Sequence, residues 1–155
     1  MNMNTKSATK ALDKIHQQVM WNRLIAVVEE QAQTILRTAF GSVVREAGDL
    51  SAGIYDLEGR MIAQAVTGTP GHVNTMARAV EHFLTHYPVD QMKQGDVYVT
   101  NDPWLGTGHL FDFVVVSPAY YGGEPTALFA STCHVIDVGG RGFSAEAKSI
   151  YEEGI

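Results

Sequence analysis

Three features are scarce or absent in this 155-residue sequence, and each absence excludes a class of protein. Cysteine occurs once, at Cys133, so no internal disulfide can form, which agrees with a reducing compartment. No apolar run approaches the ~18 to 20 residues that cross a bilayer. Only 11 residues are Lys or Arg, they are scattered, and the net charge is −6. Without a basic stripe, binding to nucleic acid or a membrane is not expected.

Two further absences bear on location and on nucleotide binding. The polar N-terminal stretch 1–13 has no apolar h-region, so no secretory signal is predicted and a cytoplasmic protein is expected. No Gly-x-x-x-x-Gly-Lys loop occurs, so any ATP used by the protein must bind on another chain. What is present is ordinary for a globular domain: 45% hydrophobic and 18% charged residues. The length predicts one domain, 12–155, behind a polar arm, 1–11.

Hydrophobic periodicity predicts two helices. Apolar residues recur every three or four positions from Leu12 to Phe40 with no Pro or Gly between them, and Gly41 is a plausible stop. A second helix is predicted from a cap at Asn74 to about Tyr87, after the Gly- and Pro-containing loop 67–72.

The remaining segments have the patterns of strands. Two short runs about Glu58-Gly59 predict a hairpin, and residues 96–100 predict a short strand. The runs 112–121 and 126–134 flank a Gly-Gly-Glu-Pro turn and are apolar at both alternating positions, which predicts a hairpin buried on both faces. Together these elements predict an α+β fold, with a long N-terminal helix packed on a mostly antiparallel sheet.

The second hairpin predicts a metal site. A turn centred on Gly123 places Asp112 directly opposite His134, with Cβ atoms about 4.5 to 5.5 Å apart. His109 lies three residues before Asp112, at the end of a Gly-rich loop, and can return to the same point. Two imidazoles and one carboxylate suit Zn, Mn or Fe and leave coordination positions open for water or substrate.

Two alternatives to this site remain open. A two-residue turn would shift the register by one and place Cys133 opposite Asp112. In the other alternative, the two histidines are hydrogen-bonded residues near a strand end and bind no ion. A nucleophilic role for Cys133 is disfavoured, because a metal-bound His134 could not also serve as its base.

Several segments resemble the hydantoinase B/oxoprolinase family. Residues 101–112 are similar to its "NDPY-x-GG-THLPD" segment, 134–140 to its "H-x-DVGG" segment and 45–51 to its "RE-x-x-DFS" segment. Matches also occur at Pro70-Gly-His72 and at Gly95-Asp96, in the family's order. The chain departs from the pattern at Cys133, where the family often has a first histidine of "HH", and at Leu105 and Phe111, which replace a Gly and a Pro.

The resemblance implies a set of residue roles. The family's metal-binding His-x-x-Asp falls on His109 and Asp112, and its later histidine falls on His134. His72 is implied to lie near the active site in a catalytic role, although it could simply open a helix. Asp137 is a second expected catalytic residue, which would orient an imidazole N–H. Asp49 is interpreted as a local structural partner of Arg45, with a lesser prospect of lining the pocket.

The resemblance also implies a function and a partner. In this family a hydantoinase A-type partner binds ATP with Mg²⁺ and phosphorylates a substrate carbonyl, and the B-type subunit carries a divalent metal. We therefore expect the N-terminal, truncated part of a larger subunit that hydrolyses cyclic amides within a hetero-oligomer. A ketone carboxylase subunit and a non-catalytic remnant are the alternatives.

Overall fold

The computed structural model describes residues 3–136, 138–141 and 145–153, with side chains from residue 12 onward. Four α-helices, one short 3₁₀ helix and five strands follow one another in these ranges. They are α1 (Met3–Thr38), α2 (Ser42–Ala47), β1 (Leu50–Tyr55), β2 (Met61–Gln64), α3 (Pro70–His86), the 3₁₀ helix (Val89–Gln91), β3 (Tyr98–Thr100), β4 (Asp112–Tyr121), β5 (Glu124–His134) and α4 (Ile150–Glu153). None of the described helices has the length and apolarity needed to cross a membrane.

The five strands form one sheet in the order β2-β1-β5-β4-β3, and each neighbouring pair is antiparallel. The predicted α+β class, with a long N-terminal helix on an antiparallel sheet, is therefore confirmed. Pairing of β1 with β5 joins segments about 80 residues apart in the chain, for example Leu50 with Cys133. This pairing makes β1 a central strand that is buried along its whole length.

Helices cover both faces of the sheet. On one face, α3 packs through residues such as Met76 and Val80 against Val114 and Ala130 of the central strands. On the other, α1 packs through Val28 and Ala32 against alternate residues of β1. Because α1 covers mainly β1 and β2, the side of β4 and β5 that faces it is only half-buried. The prediction of a hairpin buried on both faces is thus wrong for this side.

The first helix is longer than its hydrophobic pattern predicts. It begins at Met3 rather than Leu12, because a polar stretch without Pro or Gly can still propagate a helix once it is nucleated. Packing against the sheet is confined to its C-terminal half, where Val28 and Ala32 are fully buried. The apolar residues Leu12 and Ile15 are more than half exposed.

Two other helix boundaries differ from the prediction. The short α2 was not predicted; it ends at Gly48, whose φ of 68° is in the left-handed region that terminates helices. Helix α3 begins at Pro70, with Thr69 as its N-cap, rather than at a cap on Asn74. Proline is favoured at the first helical position because its missing N–H has no partner there. His72 therefore lies in the first turn of α3.

The β4–β5 hairpin has the predicted register at Asp112, but its turn and a bulge were not predicted. The turn has two residues, Gly122 and Gly123, both with positive φ, and it pairs Tyr121 with Glu124. If the register set by this turn continued along both strands, Cys133 would lie opposite Asp112. A bulge at Thr126, the extra residue between the Tyr120–Pro125 and Ala119–Ala127 pairs, shifts the register by one. Asp112 consequently lies opposite His134.

Candidate metal centre

The buried polar residues of the described chain lie together on one face of the sheet. Ser51, Asp112, Thr132 and His134 are at most 3% exposed, and strand register places them all on the face covered by α3. Burial of polar groups costs free energy unless they gain partners, so such a concentration in a core is uncommon without a chemical role. The cluster lies where β4 begins and β5 ends, at the edge of the core.

Asp112 and His134 form the centre of the cluster. His134 Nδ1 lies 3.0 Å from Asp112 Oδ1, and their side chains are 1% and 4% exposed. The distance follows from the ladder, because residues opposed on neighbouring strands have side chains on the same face. Cys133, one residue earlier, pairs with Phe113 and so lies on the opposite face of β5.

His109 approaches the same carboxylate from the loop before β4. Its Nδ1 lies 3.7 Å from Asp112 Oδ1, and its ring stacks on that of His134 at a centroid distance of 5.2 Å. A tight turn holds it there, since the Asp112 N–H donates to the His109 carbonyl at 3.2 Å. The His109 side chain is 30% exposed, which leaves the site open on this side.

Three further side chains complete the cluster. His72, in the first turn of α3, places Nε2 3.1 Å from Asp112 Oδ2 and Nδ1 3.5 Å from Asp49 Oδ1. Asp49, directly before β1, places Oδ2 3.7 Å from His134 Nδ1. Thr107 donates its hydroxyl to Asp112 Oδ2 at 3.1 Å. Each Asp112 oxygen thus faces a different set of donors.

The electrostatics of the cluster follow from these contacts. The hydrogen bond to Asp112 raises the pKa of His72 above its ordinary value, against the opposing effect of burial, and Asp49 adds to the rise. Burial by itself would raise the pKa of Asp112, but hydrogen bonds and charge from His72, with His134 and His109, lower it overall. Asp112 is therefore ionised at neutral pH, and its carboxylate stabilises the protonated form of His72.

The donor set fits a divalent metal ion. One nitrogen or oxygen from each of His109, Asp112 and His134 lies within 4.8 Å of the others, and the same holds for Asp49, His72 and Asp112. Imidazole nitrogens and carboxylate oxygens are the ligands that Zn, Mn and Fe accept in proteins. His72 Nδ1 is buried and forms no hydrogen bond within the described residues, although it faces the cluster. A buried nitrogen in this state is available to a further cation or proton.

The structure brings together all three residues expected to bind metal, and His72 with them; metal binding itself stays a prediction. Asp49, which the sequence analysis treated mainly as a partner of Arg45, also belongs to the cluster. The pairing of β1 with β5 accounts for this, since the His134 N–H donates to the Asp49 carbonyl at 3.1 Å. The sequence signal for it was the segment 45–51, which is similar to the family's "RE-x-x-DFS" segment and has its Asp at residue 49. Asp137 lies outside the described residues.

Cys133 is unsuited to nucleophilic chemistry. Burial raises the pKa of its thiol, and the nearby carboxylates of Asp112 and Asp49 raise it further. The thiolate, which is the reactive form, is therefore disfavoured at neutral pH.

A small cavity adjoins the cluster. Its volume is about 400 Å³, and residues 74–82 of α3 and the loop 103–108 form its walls, with Arg78, Trp104 and Thr107 among the lining residues. Thr107 connects the cavity to the site, since its hydroxyl donates to Asp112. Small-molecule sites commonly have volumes of roughly 300 to 1,000 Å³, so the cavity suits a small ligand.

Several known proteins are similar to this chain in sequence and in fold. Residues 13–155 match the family described as hydantoinase B/oxoprolinase. A 5-oxoprolinase of Pestalotiopsis fici, PfmaA, is 35% identical over 140 residues, which cover 88% of this chain and 11% of that protein. Among solved structures, nucleotide-free acetone carboxylase matches with a TM-score of 0.71 and 26% identity, covering 83% of this chain and 17% of that one. The ATP-dependent caprolactamase of Pseudomonas jessenii matches with a TM-score of 0.71 and 26% identity, covering 88% of this chain and 24% of that one.

The chain belongs to the hydantoinase B/oxoprolinase family, because the family match extends from residue 13 to the last residue. It spans about a tenth of the length of the 5-oxoprolinase and no more than a quarter of either solved chain. The region that this chain matches is thus one part of those larger proteins.

Proposed function

We propose that this chain is the metal-binding part of an ATP-dependent cyclic-amide hydrolase subunit that acts with a hydantoinase A-type partner. The observation that carries the proposal is the convergence of His109, Asp112 and His134 on one buried point, in a chain of this family. The similarity to a 5-oxoprolinase and to a caprolactamase favours a cyclic amide as the substrate.

His109, Asp112 and His134 would hold the ion, and His72 and Asp49 would complete its surroundings. A divalent cation bound there would polarise a carbonyl oxygen or lower the pKa of bound water. The chain's own residues supply the orientation. Asp112 Oδ1 faces His134 and His109, and Thr107 donates to Oδ2, so the carboxylate cannot rotate freely.

His72 is the proposed catalytic residue. One ring nitrogen faces Asp112 and the other faces Asp49, and the pKa of the imidazole is raised by these contacts. A histidine placed in this way can hold a proton next to the reacting group and return it to a leaving amine. Asp137 is proposed to orient one of the site's imidazoles.

ATP would bind on the partner, because no phosphate-binding loop of the Gly-x-x-x-x-Gly-Lys type occurs in this sequence. The cavity of about 400 Å³ beside Thr107 has room for a small ring. Ketone carboxylation is the second candidate, favoured by the match to acetone carboxylase. A reading frame for a hydantoinase A-type protein beside this gene would support either enzyme over a non-catalytic remnant.

Metal titration of the purified, metal-free chain tests the proposal. Calorimetry with Mn²⁺ and with Zn²⁺ should show one tightly bound divalent ion per chain. Asp112→Asn should abolish this binding, because it removes the anionic oxygen on which the donors converge. Asp56→Asn, in the turn between β1 and β2 where Asp56 pairs with Arg60, is the matched control and should bind as the wild type does. A wild-type chain that binds neither ion would refute the proposal.

A further inference from the structure

The connector between β2 and α3 is held by a carboxylate from α1. Glu29 Oε2 accepts the backbone N–H groups of Val66 and Thr67 at 2.8 and 3.1 Å. Its Oε1 accepts the Thr67 hydroxyl and the side-chain amide of Gln33, the latter at 3.0 Å. Four hydrogen bonds therefore converge on one carboxylate that lies 36 residues or more before its loop partners in the chain.

The same connector continues directly into the candidate metal centre. Thr69, two residues after Thr67, donates its hydroxyl to Asp49 Oδ1 at 2.9 Å. Its carbonyl accepts the His72 N–H at 3.0 Å, which closes the first turn of α3. One residue thus orients two members of the cluster, Asp49 through its side chain and His72 through its backbone.

The backbone between Thr67 and Thr69 has little conformational freedom. Gly68 has a φ of 152° and packs so closely on β1 that a Cβ would lie 2.7 Å from the Leu50 carbonyl oxygen. The Thr69 N–H donates to the same carbonyl at 2.8 Å. Ser51 donates its hydroxyl to the Thr69 carbonyl at 3.2 Å. Because Gly68 has no room to adjust, a displacement of Thr67 would strain these contacts of Thr69 with β1.

We propose that Glu29 is a positioning residue for the metal centre: by holding Val66 and Thr67 it sets the place of Thr69, and through Thr69 the places of Asp49 and His72. The inference rests on the proposed function, because it assumes that the centre binds a metal ion, but the contacts that support it do not depend on a bound ion. Hydrogen bonds from Thr67 and then Gln33 lower the pKa of Glu29 to about 2. The carboxylate is accordingly ionised at neutral pH, and its hydrogen bonds are of the stronger, charge-assisted kind.

The test compares Glu29→Gln with Glu30→Gln. Glutamine keeps the shape of the side chain but has one accepting oxygen in place of two. Glu30 is the neighbouring glutamate on α1, exposed and paired with Arg37, so it controls for the loss of a helix charge. In the metal-free chain, NMR signals of His72 and Thr69 should move in Glu29→Gln and keep their wild-type positions in Glu30→Gln.

Metal binding gives the second readout. Glu29→Gln should raise the Kd for Mn²⁺ about tenfold, the lower end of what outer residues of metal sites contribute, and alter the visible spectrum of the Co²⁺-loaded chain. Thr67→Ser, which retains the hydroxyl, should keep wild-type affinity, whereas Thr67→Val should behave like Glu29→Gln. If Glu29→Gln does not fold, the comparison of Thr67→Ser with Thr67→Val tests the positioning role instead.

The outcomes separate the two proposals. If the wild-type chain binds no divalent ion but the NMR signals of His72 move in Glu29→Gln, the proposed function fails and the positioning role stands. If the wild-type chain binds metal, and Glu29→Gln lowers only the melting temperature while leaving the NMR signals, Kd and spectrum unchanged, Glu29 is a structural anchor and the inference is overturned.

Discussion

Asp112 is the residue on which the other side chains of the centre converge. Its two oxygens face three histidines and one threonine hydroxyl, and its side chain is 4% exposed. A buried carboxylate is costly unless it is hydrogen-bonded and paired with positive charge. Contact with Asp112 raises the pKa of His72, so the protonated form of this histidine is favoured beside it.

Substitutions at two neighbouring residues of β5 should have opposite effects on metal binding. His134→Ala should weaken binding on the order of 100-fold or more, since even changes to residues behind the ligands cost roughly 10 to 100-fold. Cys133→Ala should leave the metal content unchanged, because its side chain points to the half-buried face toward α1. Elemental analysis of both purified variants makes the comparison. Loss of metal in the cysteine variant and retention in the histidine variant would contradict the site assignment.

At the scale of elements, the hairpin shows how a turn and a bulge jointly set a site. The turn at Gly122-Gly123 favours one register, and the bulge at Thr126 establishes the other. A register shift of one residue would place Cys133, in place of His134, on the face of the sheet that carries Asp112. The pairing of β5 with β1 supports the observed register from the other side, because it brings Asp49 to the same end.

The contact of α1 with the β2–α3 connector should contribute to stability in a pH-dependent way. The folded pKa of Glu29, about 2, lies below its ordinary value of 4.5, so the contribution is present above pH 4.5 and is lost as pH falls through 2. Glu29 is partly exposed, and we expect about 1 to 2 kcal/mol after allowance for solvent screening.

Urea unfolding of the wild type and Glu29→Gln at pH 7 and pH 3 measures this contribution. The difference in free energy of unfolding between the two proteins should be largest at pH 7 and smaller at pH 3, because the contribution begins to fall below pH 4.5. A difference that stays constant between these pH values would show that the carboxylate's charge is not what stabilises the contact.

At the scale of the whole molecule, the chain has the candidate metal centre but covers only 11% of the 5-oxoprolinase and 17% to 24% of the two solved chains it matches. The centre is open on the side of His109, whose side chain is 30% exposed. Apolar residues in the N-terminal half of α1 are likewise exposed, with Leu12 and Ile15 more than half accessible.

We therefore expect the chain alone to show no turnover. Purified chain incubated with ATP, Mg²⁺ and a hydantoin or lactam should release neither ADP nor ring-opened product, because nothing in its sequence forms a phosphate-binding loop of the Gly-x-x-x-x-Gly-Lys type. Chromatographic detection of product and a coupled assay for ADP make the measurement. ATP-dependent ring opening by this chain without a partner would contradict the expectation.

Local patterns in the sequence determined most of the helices and strands of this chain. Hydrophobic periodicity and Gly-containing turns predicted both long helices and both hairpins, since side-chain period and turn chemistry act over a few residues. The motif resemblance and the opposition of Asp112 and His134 identified the candidate metal residues. Local patterns could not determine how far α1 extends, because helix propagation does not require an apolar residue at every turn.

Only the tertiary structure decided which distant residues join the centre. Asp49 reaches His134 through the β1–β5 pairing, and His72 reaches Asp112 because α3 packs on that face and begins at Pro70. Glu29 reaches the connector because α1 covers β1 and β2. These contacts join residues 37 to 85 positions apart in the chain. They depend on strand order and on which face each helix covers, and those are properties of the packed sheet rather than of any local run of residues.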